Sequence, residues 1–207
     1  MQTTILLLVL LAAETIFAQG NYEQGMSKAF ELWDDGNPAE ASAIFESIAS
    51  AEKDNWLPNY YIALVNTTDA FKPENAENVE LLVSKAQNAV NIELNKDPEN
   101  PELLVVQAMA YTALIAHDPM TNGQKFAGKV MELYAKAEAI APQNPRVVFS
   151  KAQFEMGSAK FFGKDIQPIC ERIRQSLVLF DNFKPETPFS PKWGKEQAEA
   201  AIKDCEQ

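Results

Sequence analysis

The feature that most constrains this chain is a four-residue punctuation used twice: Pro98-Glu99-Asn100-Pro101 and, 44 positions later, Pro142-Gln143-Asn144-Pro145. At each copy one amphipathic run stops and another starts. The asparagine side chain can accept hydrogen bonds from the first free N–H groups of the next helix. The proline then occupies the first turn, where a missing N–H is harmless and φ is already helical. A helix boundary that recurs at a fixed offset marks an array of helical hairpins. One such hairpin cannot bury its apolar face alone, so neighbours must stack.

The stretches between boundaries keep the helical period. Residues 22 to 35 carry Met26, Phe30 and Trp33 and stop at Asp34-Asp35-Gly36, after which Asn37-Pro38-Ala39-Glu40 offers a cap, a first-turn proline and a capping-box acid. Ala41, Ile44, Phe45 and Ile48 follow at i, i+3, i+4 and i+7, one face of a second helix. Further helices are expected over about 57–69, with Tyr60, Ala63 and Leu64 inward, over about 78–95, and from Pro101 to His117. A sixth, capped by Thr121 or Asn122, should run to Ile140, a seventh from Pro145 to about Lys160, and an eighth over about 166–181 with Ile169, Cys170 and Ile173 inward. Strand-period alternation is absent, so no sheet is expected.

Residues 182–194 break the pattern. Pro185, Pro188 and Pro191 forbid helix interior, yet Phe183, Phe189 and Trp193 need burial. The expectation for 182–207 is an extended strap laid against the array and then a capping helix with Ala198, Ala201, Ile202 and Cys205 on one face.

Charge narrows the partners. The net charge of −11 comes from 29 acids against 18 bases with no basic block, so nothing is present to neutralise phosphates, and neither nucleic acid nor anionic membrane is expected as a partner. Ile5 to Ala13 is a nine-residue apolar run, too short to span a bilayer, and Ile16-Phe17-Ala18 precedes Gln19. Residues 1–18 therefore read as a signal peptide cleaved after Ala18, although Met1 to Thr4 lacks the usual basic residue; an apolar first helix of the mature fold is the other reading. With the signal removed, the chain is expected to be periplasmic or secreted, without membrane insertion. Cys170 and Cys205 could pair as a disulfide in such a compartment, or remain as two thiols buried on their apolar helical stripes.

Taken together, these residues resemble tetratricopeptide repeats. On the usual frame, Tyr22 to Asn55 puts Ala29 at the small position of the first helix, Leu32 beside it, Gly36 at the turn, and Ala41 and Phe45 in the second helix. The unit from Pro101 supplies Leu104, Ala108, Tyr111, Tyr134, Ala137 and Pro142. Three features depart from the frame: the offset of 44, Glu93 in place of a small residue, and Pro73 with Asn75 in a helical slot. The resemblance covers about 22–181 and implies an all-α, right-handed α-α superhelix of about four hairpins. The tail from Pro188 to Cys205 is similar to that of exported tetratricopeptide proteins of Gram-negative bacteria, which brings a periplasmic address and no activity.

Such arrays hold ligands on the inner face of each first helix. Carried over, those positions are Met26, Phe30 and Trp33; Tyr60 and Leu64; Val105 and Met109; Phe149 and Gln153. Mostly apolar, they would suit a hydrophobic or amphipathic peptide, unless the core or the 185–193 strap covers them.

No nucleophile motif, phosphate loop or metal-binding motif occurs. The single histidine, His117, lies where it complements a helix C-terminus. No cofactor or metal is expected, and no enzymatic activity. The function expected is a non-catalytic periplasmic module binding a partner protein or peptide. The alternatives are a structural subunit of an envelope assembly, or a small-ligand protein or enzyme using acids such as Glu155 or Asp118 in an interhelical cleft.

Overall fold

The computed structural model describes residues 20–205; the segment read as a signal peptide lies outside them. The described residues form nine α-helices and no strand: α1 (20–34), α2 (Pro38–Ala51), α3 (Leu57–Ala70), α4 (Val79–Leu94), α5 (Pro101–His117), α6 (Pro119–Ile140), α7 (Pro145–Phe161), α8 (Gln167–Asn182) and α9 (Lys195–Lys203). Among the described residues a single 3-10 segment, Pro73–Asn78, fills the interval left between the helices expected over about 57–69 and about 78–95.

Both Pro-x-Asn-Pro boundaries work as their chemistry dictates. Asn100 Oδ1 accepts from the N–H groups of Glu102 and Leu103 at 3.1 and 3.3 Å, and Asn144 Oδ1 from those of Arg146 and Val147 at 2.9 and 3.4 Å. Two cap expectations are corrected. Asn37 precedes Pro38 but makes no side-chain cap bond to α2. Helix α6 starts at Pro119, not after Thr121, because proline fits the first helical position and moves the cap back to Asp118, whose Oδ1 accepts from Thr121 N–H at 3.1 Å. Asn122 turns back instead and donates to the Leu114 carbonyl at 2.7 Å, tying α6 to the end of α5.

Each helix packs on the next, and α5 also touches both α3 and α7, so the first helices of successive hairpins stack along one direction. This is a tetratricopeptide-like α superhelix. Its core runs in three zones. The first joins α1 to α5 around Phe45, Tyr60, Leu64 and Val90. A second joins α5, α6 and α7 around Val105, Tyr134 and Val147, and the third joins α7, α8 and α9 around Phe149, Ile173 and Ala198. The out-of-frame Glu93 is buried on α4, but its carboxylate accepts from Asn59 Nδ2 at 2.6 Å and from Lys96 Nζ at 3.0 Å, so no charge is left unpaired.

The repeated boundary also fixes the stacking register. Glu102 and Arg146 each follow the second proline of their boundary, and stacking sets them face to face. Arg146 Nε donates to the Glu102 oxygens at 2.9 and 2.8 Å, Arg146 Nη2 donates to Oε1 at 2.6 Å, and Asn144 Nδ2 donates to Oε1 at 2.6 Å. Burial pulls the Arg146 guanidinium down, but the bonds and charge of Glu102 outweigh it and hold Arg146 above its ordinary value. The strap closes over this pair: the Phe183 ring lies 4.3 Å from the guanidinium carbon.

Beyond the strap, α9 returns to α8, and a disulfide joins Cys170 to Cys205 with Cα atoms 5.9 Å apart. The turn into α9 requires glycine. Gly194 has φ 111°, and a Cβ there would stand 2.6 Å from Phe180 Cζ.

Buried phenols give the fold a defined alkaline limit. Burial raises Tyr60 well above 10.0, with the nearby Glu102 charge adding to it, and burial likewise raises Tyr61 and Tyr134. The folded chain keeps these protons when the unfolded chain loses them, so stability is complete below the ordinary tyrosine value and falls as pH rises above it. The slope is up to about 1.4 kcal/mol per pH unit for each tyrosine. Thermal melts by circular dichroism should show little loss up to about pH 9 and a steep fall beyond about pH 10. Tyr134→Phe should shallow that fall.

Candidate ligand-binding site

The nine positions carried over from the repeat frame divide by burial. Met26, Tyr60, Leu64, Val105 and Phe149 sit in the core, each at 2% exposure or less. Phe30, Trp33 and Met109 are half-buried, and Gln153 is exposed. The cause is the stacking itself: α3, α5 and α7 each have neighbours on more than one side, so residues facing the inner surface are also in contact with the next hairpin.

At the N-terminal end the strap lies on this face. It is not extended throughout as its prolines suggested, because proline also fits the second position of a turn, and here Ser190 N–H donates to the Thr187 carbonyl at 3.2 Å. Phe189 stacks on Phe30 with ring centroids 6.1 Å apart and an interplanar angle of 6°, and meets the edge of Tyr22 at 5.6 Å. Tyr61 Oη donates to the Phe189 carbonyl at 2.7 Å, and Trp193 Nε1 donates to Tyr60 Oη at 2.6 Å.

The second half of the array is open. A cavity of about 400 Å³ lies where the end of α5, the start of α6 and the end of α7 converge. Helix α5 contributes Thr112, Ile115 and Ala116, and α6 contributes Pro119, Met120, Gly123, Gln124 and Ala127. Gln153, Phe154, Gly157, Ser158 and Phe161 come from α7, with Phe162 just beyond it. No ionisable side chain is in the lining; its polar groups are Thr112, Gln124, Gln153 and Ser158. Gly123 and Gly157 give it flat walls, since a Cβ at either would meet no atom within 4 Å. Met120, Phe161 and Phe162 expose 69%, 57% and 66% of their surface and together line one mouth, a contiguous apolar patch of the kind that marks binding sites. The two phenylalanines meet edge to face at 5.0 Å, and Lys164 Nζ stands 5.8 Å from the Phe162 ring centroid.

Such a lining can hold an apolar body by shape and dispersion and orient it with four neutral polar groups. The acids weighed from the sequence lie outside it: Asp118 caps α6, and Glu155 stands 3.7 Å from Lys151. His117 ends α5 and is not in the lining either. Among the described residues no group of three or more His, Cys, Asp or Glu is arranged to hold a metal ion, and no helix is long and apolar enough to cross a membrane.

Of the carried-over positions, Gln153 alone enters this cavity. The rest of the lining escaped the sequence reading, because the seventh helix was expected to end at about Lys160, short of Phe161 and Phe162, and the repeat frame points to the inner face. Glycines were the available signal: Gly123 and Gly157 each weaken a helix, and neither ends one.

No family model and no curated protein matches the sequence. Among solved structures the chain is similar to the HusA haemophore from Porphyromonas gingivalis, with a TM-score of 0.79 and 22% identity over 89% of this chain and 92% of that one. It is also similar to a thermophilic tetratricopeptide repeat protein of Thermus thermophilus, with a TM-score of 0.59 and 16% identity over 77% of this chain and 75% of that one. At these identities the likeness establishes the fold.

Proposed function

We propose that this chain is an exported, non-catalytic binding protein that holds a flat, largely apolar ligand of the tetrapyrrole class in the cavity between α5, α6 and α7. The observation that carries the reading is the cavity: about 400 Å³, walled by glycine and alanine, rimmed by exposed Phe161, Phe162 and Met120, and free of ionisable groups. Its size falls within the range of small-molecule sites, which are mostly apolar with a few polar groups for orientation. A flat ring gains contact against walls that lack side chains and against aromatic faces. The haemophore neighbour suggests the ligand class. Lys164 beside Phe162 offers a charge for a peripheral carboxylate. The lining's only soft donor is the Met120 thioether, so the ring's faces, more than a central metal, would supply the affinity.

Export to the periplasm or beyond is part of the proposal. The apolar run before Ala18 and the Cys170–Cys205 bridge both support it, since disulfides persist in oxidising compartments.

The test is an absorbance titration with protoporphyrin, with and without iron. Both forms are expected to bind with similar affinity. Gly157→Leu should abolish binding by filling the cavity while leaving stability unchanged or raised by about 0.5–1 kcal/mol, because the helix loses a glycine and the position has room. Absence of binding to the parent protein, or equal binding by the Leu variant, would remove the reading.

A second reading keeps the inner face as a site for a partner protein or peptide, either transiently or as a subunit of an envelope assembly. The tetratricopeptide-like stacking and the residual exposure of Phe30, Trp33, Met109 and Gln153 favour it.

A further inference from the structure

The wall formed by α1 and α3 is covered by a segment of the same chain, and the manner of covering resembles ligand binding more than core packing. The segment is shaped by its prolines: Pro188 and Phe189 are the central residues of a turn closed by Ser190 N–H, which donates to the Thr187 carbonyl at 3.2 Å. Its Phe189 ring is seated between Phe30 and Tyr22, and its backbone carbonyl is held by a side-chain hydroxyl, that of Tyr61. The fit is incomplete: a second cavity of about 390 Å³ remains, lined by Phe30, Trp33 and Leu64 on the wall and by Pro188 and Lys192 on the strap. This pocket opens to solvent, so it is wall surface that the resident segment leaves uncovered.

We propose that the α1–α3 wall is a recognition site for a proline-initiated peptide turn presenting an aromatic side chain, and that Pro188-Phe189-Ser190-Pro191 is its resident occupant, displaced when such a segment arrives from another polypeptide. The inference rests on the second reading above, binding at the inner face, and is independent of the tetrapyrrole cavity. Three features carry it. A proline at the second position of a turn has its φ already set, so a segment such as Thr187-Pro188-Phe189-Ser190 loses little entropy on docking. Tyr61 reads a backbone carbonyl, which any peptide supplies, while the Phe30–Tyr22 slot selects an aromatic ring. The occupant is tethered by α8 and α9 and by the Cys170–Cys205 bridge, so it competes at high effective concentration. The apparent affinity for an incoming segment is therefore reduced by the fraction of molecules with the strap released.

The experiment uses the full mature oxidised chain and a fluorescein-labelled synthetic peptide spanning residues 184–194 as probe, read by fluorescence polarisation. Phe189→Ala empties the slot in the chain itself and should raise affinity for the peptide by about tenfold or more over the parent. Adding Tyr61→Phe should take back several-fold of that gain by removing the hydroxyl that holds the peptide carbonyl. A Pro188→Ala/Pro191→Ala variant keeps Phe189 but loosens the free strap; it should also bind more tightly than the parent and settles the matter if Phe189→Ala fails to fold. Folded variants that bind the peptide no better than the parent would overturn the proposal. Protoporphyrin binding by the same variants should be unchanged, so the two sites can fail separately.

Discussion

Arg146→Met is expected to lower the stability of the protein by about 3–5 kcal/mol, the cost typical of breaking a buried ion pair from one side. The substitution leaves the Glu102 carboxylate inside the fold with Asn144 as its remaining side-chain donor. It also removes the cation over Phe183, which holds the start of the strap. Urea unfolding followed by circular dichroism is the measurement, and the midpoint should fall with little change in slope. The double variant Glu102→Leu/Arg146→Met should recover most of the loss or all of it, because two apolar side chains avoid desolvating two charges. Native selection of the pair would then concern register more than stability. A loss below about 1 kcal/mol for the single variant would mean that the pair is effectively solvated.

The second large effect is expected at the C-terminal closure. Cys170→Ser/Cys205→Ser should cost about 4 kcal/mol, since the bridge closes a loop with a sequence separation of 35 and so restricts the unfolded chain. The loop contains the strap and α9, which are otherwise attached by the Trp193–Tyr60 and Tyr61–Phe189 bonds, the packing of Phe189 on Phe30 and Tyr22, the Phe183–Arg146 contact, the burial of Ala198 against α7 and α8, and ion pairs of Lys195 with Asp181 and Lys160 with Asp204. Both ion pairs are largely exposed and contribute little. Amide exchange should therefore accelerate first in α9 and only later in α3 to α7. Coincident unfolding midpoints with and without reductant would contradict this account.

Most of the helical layout was legible because its signals are local. Asn100 and Asn144 cap where the sequence placed them, and Ala41, Phe45 and Ile48 on α2 and Cys170 and Ile173 on α8 are buried as their spacing required, with Ile44 and Ile169 half-buried beside them. The misreadings were also local, and each has a physical cause. Pro119 took the first position of α6 and drew the cap to Asp118, and Pro73–Asn78 coiled into a short 3-10 segment in the interval left between the expected third and fourth helices. The inner-face positions were harder. A residue such as Tyr60 or Val105 has the same period whether it faces a groove or the neighbouring hairpin, and only the stacking separates the two.

The cavity was least legible. Thr112, Met120 and Phe161 come from three helices, and their convergence depends on how far α6 leans from α7 where both lack side-chain bulk, at Gly123 and Gly157. Nothing within any one helix encodes that angle.

By itself, then, the sequence determined the helices, their boundaries and the need to stack, since these follow from period, capping and proline chemistry within a few residues. Tertiary structure alone decided that Glu102 meets Arg146, that the strap occupies the α1–α3 wall, that Cys170 and Cys205 are bonded, and that an apolar cavity opens between α5, α6 and α7. Each of those depends on a distance between residues far apart in the chain, and local preference carries no information about such distances.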